Sequence, residues 1–444
     1  MKNFFQNLFL RSKLFLYGGV PVVFFILGFV YFFFYVLAFI ALLLVLALLI
    51  TDVLLLFRKD ISISCTRKLP LILSLSDNNT IELSVTNNSI LKLLITINEE
   101  LPKQFQERNF VMEMNLIPRE SKVHQYKLRP VTRGEYFFGN TIIYLSSLIG
   151  LAERRIVIKN ATMIPVFPSI IQMKNMELRA FSKISMFRGI RKLRRIGHSY
   201  EFEQIRNYVT GDDYRSINWK STGKRGSLMV NQYEDEKAQQ VYFILDKSRV
   251  MRSTFNELTL LDYSINTTLA MSNIILRKDD KAGLISFSTT IDTFVKADKS
   301  VVQLRKILNK LYAEKENKLE ANYELLYSSI RKTIPVRSLL VLFTNFESTY
   351  GLERVLPVLR KLSKQHLLLV VFFENNELIQ YSQESSQTIK EIYFRMVAEK
   401  TVDEKEQIFH MLNLYGIQAI RTIPENLTIG VINKYLEFKS RGMI

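Results

Sequence analysis

The apolar segment at residues 14–57 constrains this chain most, because Asp52 is its only charged residue. A single helix over this segment would be about 66 Å long at 1.5 Å per residue, twice the roughly 30 Å hydrocarbon core of a bilayer. Two spans of about 20 residues fit instead, with a turn near residues 28–35, where aromatic side chains favour the membrane interface. Residues 1–57 are therefore predicted to form a membrane anchor, a transmembrane hairpin of two helices.

Basic residues flank the apolar segment on both sides. They are Lys2, Arg11 and Lys13 before it and Arg58, Lys59, Arg67 and Lys68 after it. Because basic flanks stay in the cytoplasm, and an even number of spans agrees, the N-terminus and the soluble body are predicted to lie on the cytoplasmic side of a bacterial inner membrane. Asp52 is expected near the inner interface, with a functional intramembrane carboxylate as the alternative.

The formal net charge of +18 admits nucleic acid, anionic lipid or an acidic protein as a partner. For an anchored chain the lipid surface is the simplest explanation, since each nearby Lys or Arg gains about 1 kcal/mol from anionic lipids. Membrane lipids are thus expected as partners, contacted through residues 14–57.

Residues 58–165 have the pattern of short strands. Apolar and polar residues alternate at 81–85 and 94–97, with turn residues at 87–89 between them. This pattern predicts a small antiparallel β-sandwich that acts as a spacer or an interaction surface. Cys65, the single cysteine, is interpreted as a small apolar strand residue rather than as a reactive thiol.

Residues 166–237 are predicted to be a basic linker that carries a distinctive motif. The basic run consists of Arg188, Arg191, Lys192, Arg194 and Arg195. Nucleic-acid binding is one interpretation of this run. A solvated or membrane-facing run is favoured, because no aromatic residues that could stack on bases are interleaved with the cations. No nucleic acid is therefore expected as a partner.

Residues 238–444 alternate between apolar strands and amphipathic helices. The strand segments are 241–245, 282–287, 338–343 and 366–373, and the helical segments are 258–277, 301–312, 323–332, 352–365 and 389–414. Such alternation predicts a doubly wound α/β domain with a parallel sheet covered on both faces. Ligand sites in these sheets lie at the carboxyl ends of the strands, and Asp246 is at such an end.

The motif in the linker groups an Arg, a turn and the only tryptophan of the chain. Its residues are Arg206, Tyr208, Gly211, Asp212, Arg215, Ile217, Trp219, Leu228 and Val230. They could form a packed salt-bridge cluster that fixes a corner between domains, or a functional site. The motif resembles that of the domain-of-unknown-function 58 family, and the segments 133–136 and 148–151 match the layout of that family, as does the apolar hairpin.

This resemblance implies a C-terminal domain similar to von Willebrand factor A domains, an association with MoxR-type AAA+ ATPases and no general enzymatic activity. A von Willebrand-type metal site uses Asp-x-Ser-x-Ser with a later Thr and Asp. The chain keeps Asp246 and Ser248, but Val250, Ala321 and Asn345 stand at the other three positions. The resemblance thus implies a degenerate site in which Asp246 and Ser248 are the remaining metal ligands for Mg²⁺, and no other cofactor is expected.

The predicted function is a non-enzymatic, membrane-anchored interaction or scaffold protein. By resemblance, it would work with a MoxR-type AAA+ ATPase in protein assembly or remodelling at the cytoplasmic face. One alternative is a Mg²⁺-dependent adhesion-type binding module, and the second is an uncharacterised hydrolase or nucleic-acid binder. No catalytic residues are predicted, because the sequence has no phosphate-binding loop and no nucleophile elbow, and its histidines lack metal-ligand spacing.

Overall fold

The chain forms two compact units, Met1–Ser169 and Ile170–Ile444. A computed structural model describes residues 6–58, 60–107, 110–174, 176, 201–234, 238–384 and 388–444. The predicted anchor and β-domain fall within the first unit, and the predicted α/β domain falls within the second. The basic run at 188–195 lies outside the described residues, so its interpretation stays a prediction.

Two apolar helices begin the first unit. Helix α1 covers Ser12–Gly28 and helix α2 covers Phe32–Leu56, so the turn between them lies within the predicted interval. The helices pack together through aromatic contacts such as that of Phe24 with Phe34, whose ring centroids are 6.3 Å apart. Among the described helices, α2 is the one that is long and apolar enough to cross a membrane, whereas α1 has 17 residues and is shorter. The second span remains a prediction.

Short strands make up the rest of the first unit. They are β1 (Leu8–Leu10), β2 (Ile63–Lys68), β3 (Leu73–Ser74), β4 (Asn79–Asn87), β5 (Leu93–Glu99), β6 (Val111–Leu116), β7 (Ser121–Leu128), β8 (Gly134–Phe138), β9 (Thr141–Ser146), β10 (Ala152–Ile158) and β11 (Thr162–Phe167). Three sheets result, with the orders β1-β10-β9-β5-β6, β3-β11-β8 and β2-β4-β7. The strand pairs are antiparallel except β3 with β11. Alternate residues of β4 and β5 are buried, which confirms the period-two pattern.

A buried ion pair joins two of these sheets. Arg67 in β2 binds Glu99 in β5, with 2.7 Å between Nη1 and Oε2, and both side chains are almost fully buried. Arg67 also donates to the carbonyl oxygens of Gly139 and Asn160, at 2.9 and 2.6 Å. Arg67 is therefore part of the interior and does not face lipid as a flanking cation. Cys65 in the same strand is buried, and burial raises the pKa of its thiol to about 12, as expected for a structural cysteine.

Asp52 is buried near the end of α2, where its carboxylate binds the loop that precedes β10. Oδ2 accepts hydrogen bonds from the backbone N–H groups of Leu151 and Ala152, at 2.7 and 2.9 Å. Oδ1 accepts one from the hydroxyl of Ser147. Gly150 has a φ of +69°, a conformation that favours glycine and turns the chain between these donors. Both carboxylate oxygens are thus satisfied within the protein.

Both ends of the helical hairpin are attached to strand β10. Before α1, strand β1 pairs antiparallel with β10, and the Arg11 N–H donates to the Leu151 carbonyl oxygen at 3.0 Å. The Arg11 guanidinium lies 3.4 Å from the carboxylate of Glu153. After α2, Arg154 donates to the Leu56 carbonyl oxygen at 3.0 Å. The predicted anchor and β-domain are therefore joined by hydrogen bonds into one unit, which no local sequence pattern indicated.

A six-stranded sheet forms the centre of the second unit. Its strands are β14 (Gln240–Asp246), β17 (Lys281–Phe287), β18 (Ile291–Asp298), β19 (Leu339–Phe343), β20 (Leu367–Phe373) and β21 (Gln418–Thr422). Their spatial order is β18-β17-β14-β19-β20-β21, and only β18 runs antiparallel to its neighbour. Counted along the chain, this order is 3-2-1-4-5-6, the order of a doubly wound α/β fold.

Helices cover both faces of this sheet. They are α4 (Leu260–Arg277), α5 (Gln303–Ala313), α6 (Tyr323–Thr333), α7 (Thr349–Gln365), α8 (Asn376–Gln383), α9 (Ile389–Leu414) and α10 (Leu427–Ser440). Alternate residues of β14 enter opposite cores: Phe243 packs with α4 and α10, and Tyr242 packs with α6 and α7. The four predicted strands are confirmed. The sequence reasoning missed β18, β21, α8 and α10.

A small hairpin of this unit carries the linker motif. Strands β12 (Glu201–Asn207) and β13 (Met229–Glu234) pair antiparallel, and helix α3 (Trp219–Arg225) lies between them in the chain. The hairpin β15 (Thr254–Phe255) and β16 (Leu258–Thr259) precedes α4.

Replacing Asp52 by Ala is expected to loosen the attachment of the hairpin to β10. The variant leaves the N–H groups of Leu151 and Ala152 without their acceptor, and a buried unsatisfied donor costs about 1–3 kcal/mol. Hydrogen-exchange mass spectrometry of the full chain in detergent micelles should show faster exchange at these two amides. Asp60→Ala is the control, because Asp60 is exposed and its carboxylate forms an ion pair with Arg58 at the surface. Equal exchange in both variants would contradict this account.

Candidate functional site at the carboxyl edge of the sheet

The carboxyl ends of β14 and β19 lie side by side in the second unit. Along the chain, β14 is the first strand of the sheet and β19 is the fourth. The strand order therefore reverses between them: the chain continues from β14 to one side of the sheet and from β19 to the other. Such a switch point is where doubly wound folds place their ligands. Asp246 ends β14, and Thr344 follows β19 directly. This edge of the sheet is therefore the first candidate site.

Asp246 is fully engaged in hydrogen bonds within the fold. Its Oδ1 accepts from the Ser248 N–H at 2.8 Å. Its Oδ2 accepts from the Thr344 hydroxyl at 2.7 Å and from the Tyr323 hydroxyl at 3.1 Å. The hydroxyls of Tyr323 and Thr344 are also 2.8 Å apart. All four residues are buried. The carboxylate thus fixes the first residues after β14 and β19 relative to each other.

Burial dominates the electrostatics of this cluster. It raises the pKa of Asp246, although hydrogen bonds from Ser248, Thr344 and Tyr323 oppose the shift. It also raises the pKa of Tyr323 well above 10, helped by the neighbouring Asp246. The tyrosine is therefore a neutral donor at physiological pH.

The remaining positions of the expected metal site carry no ligand for a divalent cation. Val250 and Ala321 pack against apolar cores. Asn345 accepts a hydrogen bond from the ammonium group of Lys405 at 2.6 Å, so a cation already uses its oxygen. No group of three or more His, Cys, Asp or Glu residues that could hold a metal occurs in the described parts of the chain. Asp246 and Ser248 alone do not fit Mg²⁺, which prefers more oxygen ligands.

Sequence reasoning missed three residues of this edge. Tyr323 and Thr344 could have been found from their positions, since one begins α6 and the other follows β19. The third is Lys247, whose ammonium group lies 2.6 Å from Asp292 and 2.8 Å from Glu314. Burial alone would lower the pKa of Lys247, but these two carboxylates raise it.

The linker motif forms a second candidate site, built on a bidentate ion pair. Arg206 donates to both carboxylate oxygens of Asp212, at 2.7 and 2.6 Å, and Asp212 also accepts from the Val209 N–H at 2.9 Å. Arg206 lowers the pKa of Asp212, and Asp212 raises the pKa of Arg206. Gly211 has a φ of +109°, which only glycine adopts readily. The predicted salt bridge is present and closes the loop after β12.

Around this ion pair the motif exposes large apolar side chains. Trp219 is 71% exposed and Tyr214 is 69% exposed, and the guanidinium of Arg215 lies 5.7 Å from the Tyr214 ring. Asn218 caps α3 by accepting from the Ser221 N–H at 3.0 Å, which fixes the start of the helix and thus the position of Trp219. Of the other motif residues, Val230 is buried, Tyr208 and Ile217 are half-buried and Leu228 is exposed.

Residues 204–378 match the family model described as "Protein of unknown function DUF58". Over 176 residues the chain is 22% identical to the uncharacterized protein YeaD of Bacillus subtilis (strain 168). This match covers 40% of the chain and spans 42% of the length of YeaD. The resemblance stated from the motif is thus supported over the matched region, which includes the motif and the Asp246 edge.

Similarity to solved structures is weak. The protein BatB from Bacteroides thetaiotaomicron aligns over 45% of this chain and 98% of its own, with 10% identity and a TM-score of 0.31. The CARDB domain of the PF1109 protein from Pyrococcus furiosus aligns over 25% of this chain and 90% of its own, with 13% identity and a TM-score of 0.19. At these TM-scores neither alignment carries an argument about this chain.

The raised pKa of Asp246 predicts a pH-dependent contribution to stability. Because the pKa of Asp246 is higher in the folded state than its ordinary value of 3.8, its contribution is fully present below that value and is lost as the pH rises through the folded-state pKa. Asp246→Asn cannot ionise, so its free energy of unfolding should rise relative to the parent chain between about pH 4 and pH 8. Denaturant unfolding at both pH values measures this difference.

Asp298→Asn is the matched control with the opposite sign. Hydrogen bonds from Ser300 and Lys299 lower the pKa of Asp298, so its contribution is present above the unfolded value and is lost as the pH falls through the folded-state pKa. This variant should lose stability relative to the parent chain at the higher pH. A difference between Asp246→Asn and the parent chain that does not vary with pH would contradict the account.

Proposed function

We propose that this chain is a non-enzymatic, membrane-anchored interaction or scaffold protein of the bacterial inner membrane. Its hairpin crosses the membrane twice, and its two ends and the soluble body lie in the cytoplasm. There it works with a MoxR-type AAA+ ATPase in protein assembly or remodelling. The C-terminal domain is proposed to be of the von Willebrand factor A-like type, with the linker motif as the docking surface.

The hairpin supports the membrane part of this proposal. Asp52 is the only charged residue of helix α2, and its carboxylate is bound by the loop before β10. Both hairpin ends contact β10, which agrees with an even number of crossings. Arg11 and Arg58 at these ends are consistent with a cytoplasmic location.

The exposed aromatic side chains of the motif are the observation that carries the interaction proposal. Trp, Tyr and Arg are the residue types that most often dominate protein–protein binding energy. Here Trp219, Tyr214 and Arg215 lie on one short hairpin whose loop is fixed by the Arg206–Asp212 ion pair. A fixed loop loses little conformational entropy on binding, which favours its use as a docking surface.

The Asp246 edge supports the non-enzymatic part. Its carboxylate is buried and is occupied by three hydrogen-bond donors from its own fold, so it acts as a structural acceptor. The strand order of the sheet is 3-2-1-4-5-6, and its third strand is antiparallel. This order supports a doubly wound C-terminal domain. The ATPase partner rests on the resemblance to the DUF58 family alone.

Trp219→Ala tests the docking surface. Detergent-solubilised complexes are captured through the full-length chain and identified by mass spectrometry. The parent chain should recover a MoxR-type ATPase, and Trp219→Ala should recover at least tenfold less, because truncating a binding hot spot costs about 2 kcal/mol or more. Tyr350→Ala is the control, since Tyr350 is 74% exposed but lies on α7, away from the motif in sequence.

Fluorescence supplies a second readout of the same prediction. Trp219 is the only tryptophan, so the emission of the chain reports on this one position. Adding the purified ATPase should shift the emission to shorter wavelength as the indole leaves water. Equal capture by Trp219→Ala and the parent chain, or no ATPase in any capture, would refute the proposal.

A further inference from the structure

A cavity of about 300 Å³ opens at the carboxyl edge of the sheet, beside β20. It is lined by residues that follow β19, by the end of β20 and the residues after it, and by residues of the β15–β16 region, the start of α4, α8 and α9. Most of its surface is apolar. The apolar lining residues are Phe255, Leu260, Phe373, Leu378, Ile379 and Val402. It shares Asn345 with the edge described above, but Asp246, Ser248 and the linker motif do not line it.

One cation, Lys405 of α9, lines the cavity. Its Nζ donates to Asn345 Oδ1 at 2.6 Å and to the Phe346 carbonyl oxygen at 2.5 Å. The same nitrogen lies 5.9 Å from the centre of the Phe372 ring. These contacts hold the ammonium group in one position, and none of them is a contact with an anion. Burial lowers the pKa of Lys405 to about 8, although the nearby carboxylates of Glu347 and Glu374 oppose the shift.

The other charged groups of the cavity are already paired. Glu347 lies 3.1 Å from Arg249, and Glu374 lies 2.9 Å from Arg421. Within the described residues, no carboxylate lies within ion-pair distance of Lys405. An ammonium group has three donors, and the two neutral oxygens use two of them. One donor of the ammonium group therefore remains for a ligand.

Lys247, a buried lysine of the same unit, shows the contrast. Its ammonium group lies 2.6 Å from Asp292 and 2.8 Å from Glu314. Buried charges are ordinarily paired, because removing an ion from water without a partner is costly. Lys405 departs from this pattern at a place where a cavity adjoins it.

We propose that this cavity binds a short aliphatic chain that ends in a carboxylate, which pairs with the ammonium group of Lys405. The apolar wall takes the aliphatic part, and the free donor of Lys405 takes one carboxylate oxygen. A single negative charge suits the site better than a phosphate, because Glu347 and Glu374 also line the cavity and would repel a dianion. This inference goes beyond the proposed function and does not depend on the ATPase.

Titration calorimetry on the full-length chain in detergent micelles tests the pairing. Hexanoate is the probe, and hexanamide is its neutral match. We expect hexanoate to bind at least tenfold more tightly than hexanamide, and Lys405→Met to abolish this preference. Lys400→Met is the matched control, because Lys400 is on the same helix, is exposed and does not line the cavity, so this variant should keep the preference.

Two further probes distinguish the source of the carboxylate and the choice of anion. N-acetyl-Ala-Leu presents a peptide chain end, and tighter binding of this probe than of hexanoate would indicate a polypeptide terminus as the ligand. Weaker binding would indicate a free aliphatic acid, and either result supports a carboxylate site. Hexyl phosphate should bind more weakly than hexanoate, and tighter binding of the phosphate would overturn the assignment.

Amine labelling of the parent chain keeps the proposal testable if Lys405→Met does not fold. Reductive methylation followed by peptide mass spectrometry gives the modification rate of each lysine. Hexanoate should slow the modification of Lys405 at least tenfold and leave Lys400 unchanged, while hexanamide should protect neither. Equal affinity for hexanoate and hexanamide, or equal protection by both, would overturn the proposal.

Discussion

The carboxylate of Asp52 is the constraint on which the arrangement of the first unit depends. It is the only charge in an apolar segment long enough for two spans, and a charged side chain in the middle of a bilayer costs about 2.5–3.5 kcal/mol on insertion scales. The loop before β10 offsets this cost, because two of its backbone N–H groups and a hydroxyl donate hydrogen bonds to the carboxylate of Asp52. The end of α2 is thereby held against the β-strands. If α2 spans the membrane, these strands lie at its surface.

The same rule, that a buried charge needs a partner, organises the second unit. Asp246 is satisfied by donors that join the ends of β14 and β19, and Lys247 is satisfied by two carboxylates. Where a divalent cation would need further oxygens, Val250 and Ala321 add to the apolar cores. Lys405 departs from this rule, since its ammonium group donates hydrogen bonds to two neutral oxygens and lies beside a cavity. Asp246 therefore has a structural role at this edge of the sheet. At the same edge, Lys405 presents a positive charge to the cavity.

The sequence predicted the parts of this structure that rest on local patterns. Helices α1 and α2 follow from uninterrupted apolarity, and β14, β17, β19 and β20 follow from buried apolar runs flanked by helices. Strand β18 was missed because it is an edge strand, and polar residues interrupt its apolar ones. The contacts of Asp52 with Ser147 and of Lys405 with Asn345 could not be predicted, because 95 and 60 residues separate the partners. The Arg206–Asp212 pair could be predicted from the sequence, because its two residues are only six positions apart.

Cysteine labelling in intact cells tests the central claim, that the hairpin crosses the membrane and leaves the body inside. The native Cys65 gives little background, because it is buried and its thiol has a pKa of about 12. Tyr31→Cys places a thiol in the turn between α1 and α2, and Val301→Cys places one on an exposed position of the second unit. A membrane-impermeant maleimide should label Tyr31→Cys in intact cells and should label Val301→Cys only after permeabilisation. Labelling of Val301→Cys in intact cells, or of Tyr31→Cys only after permeabilisation, would contradict the account.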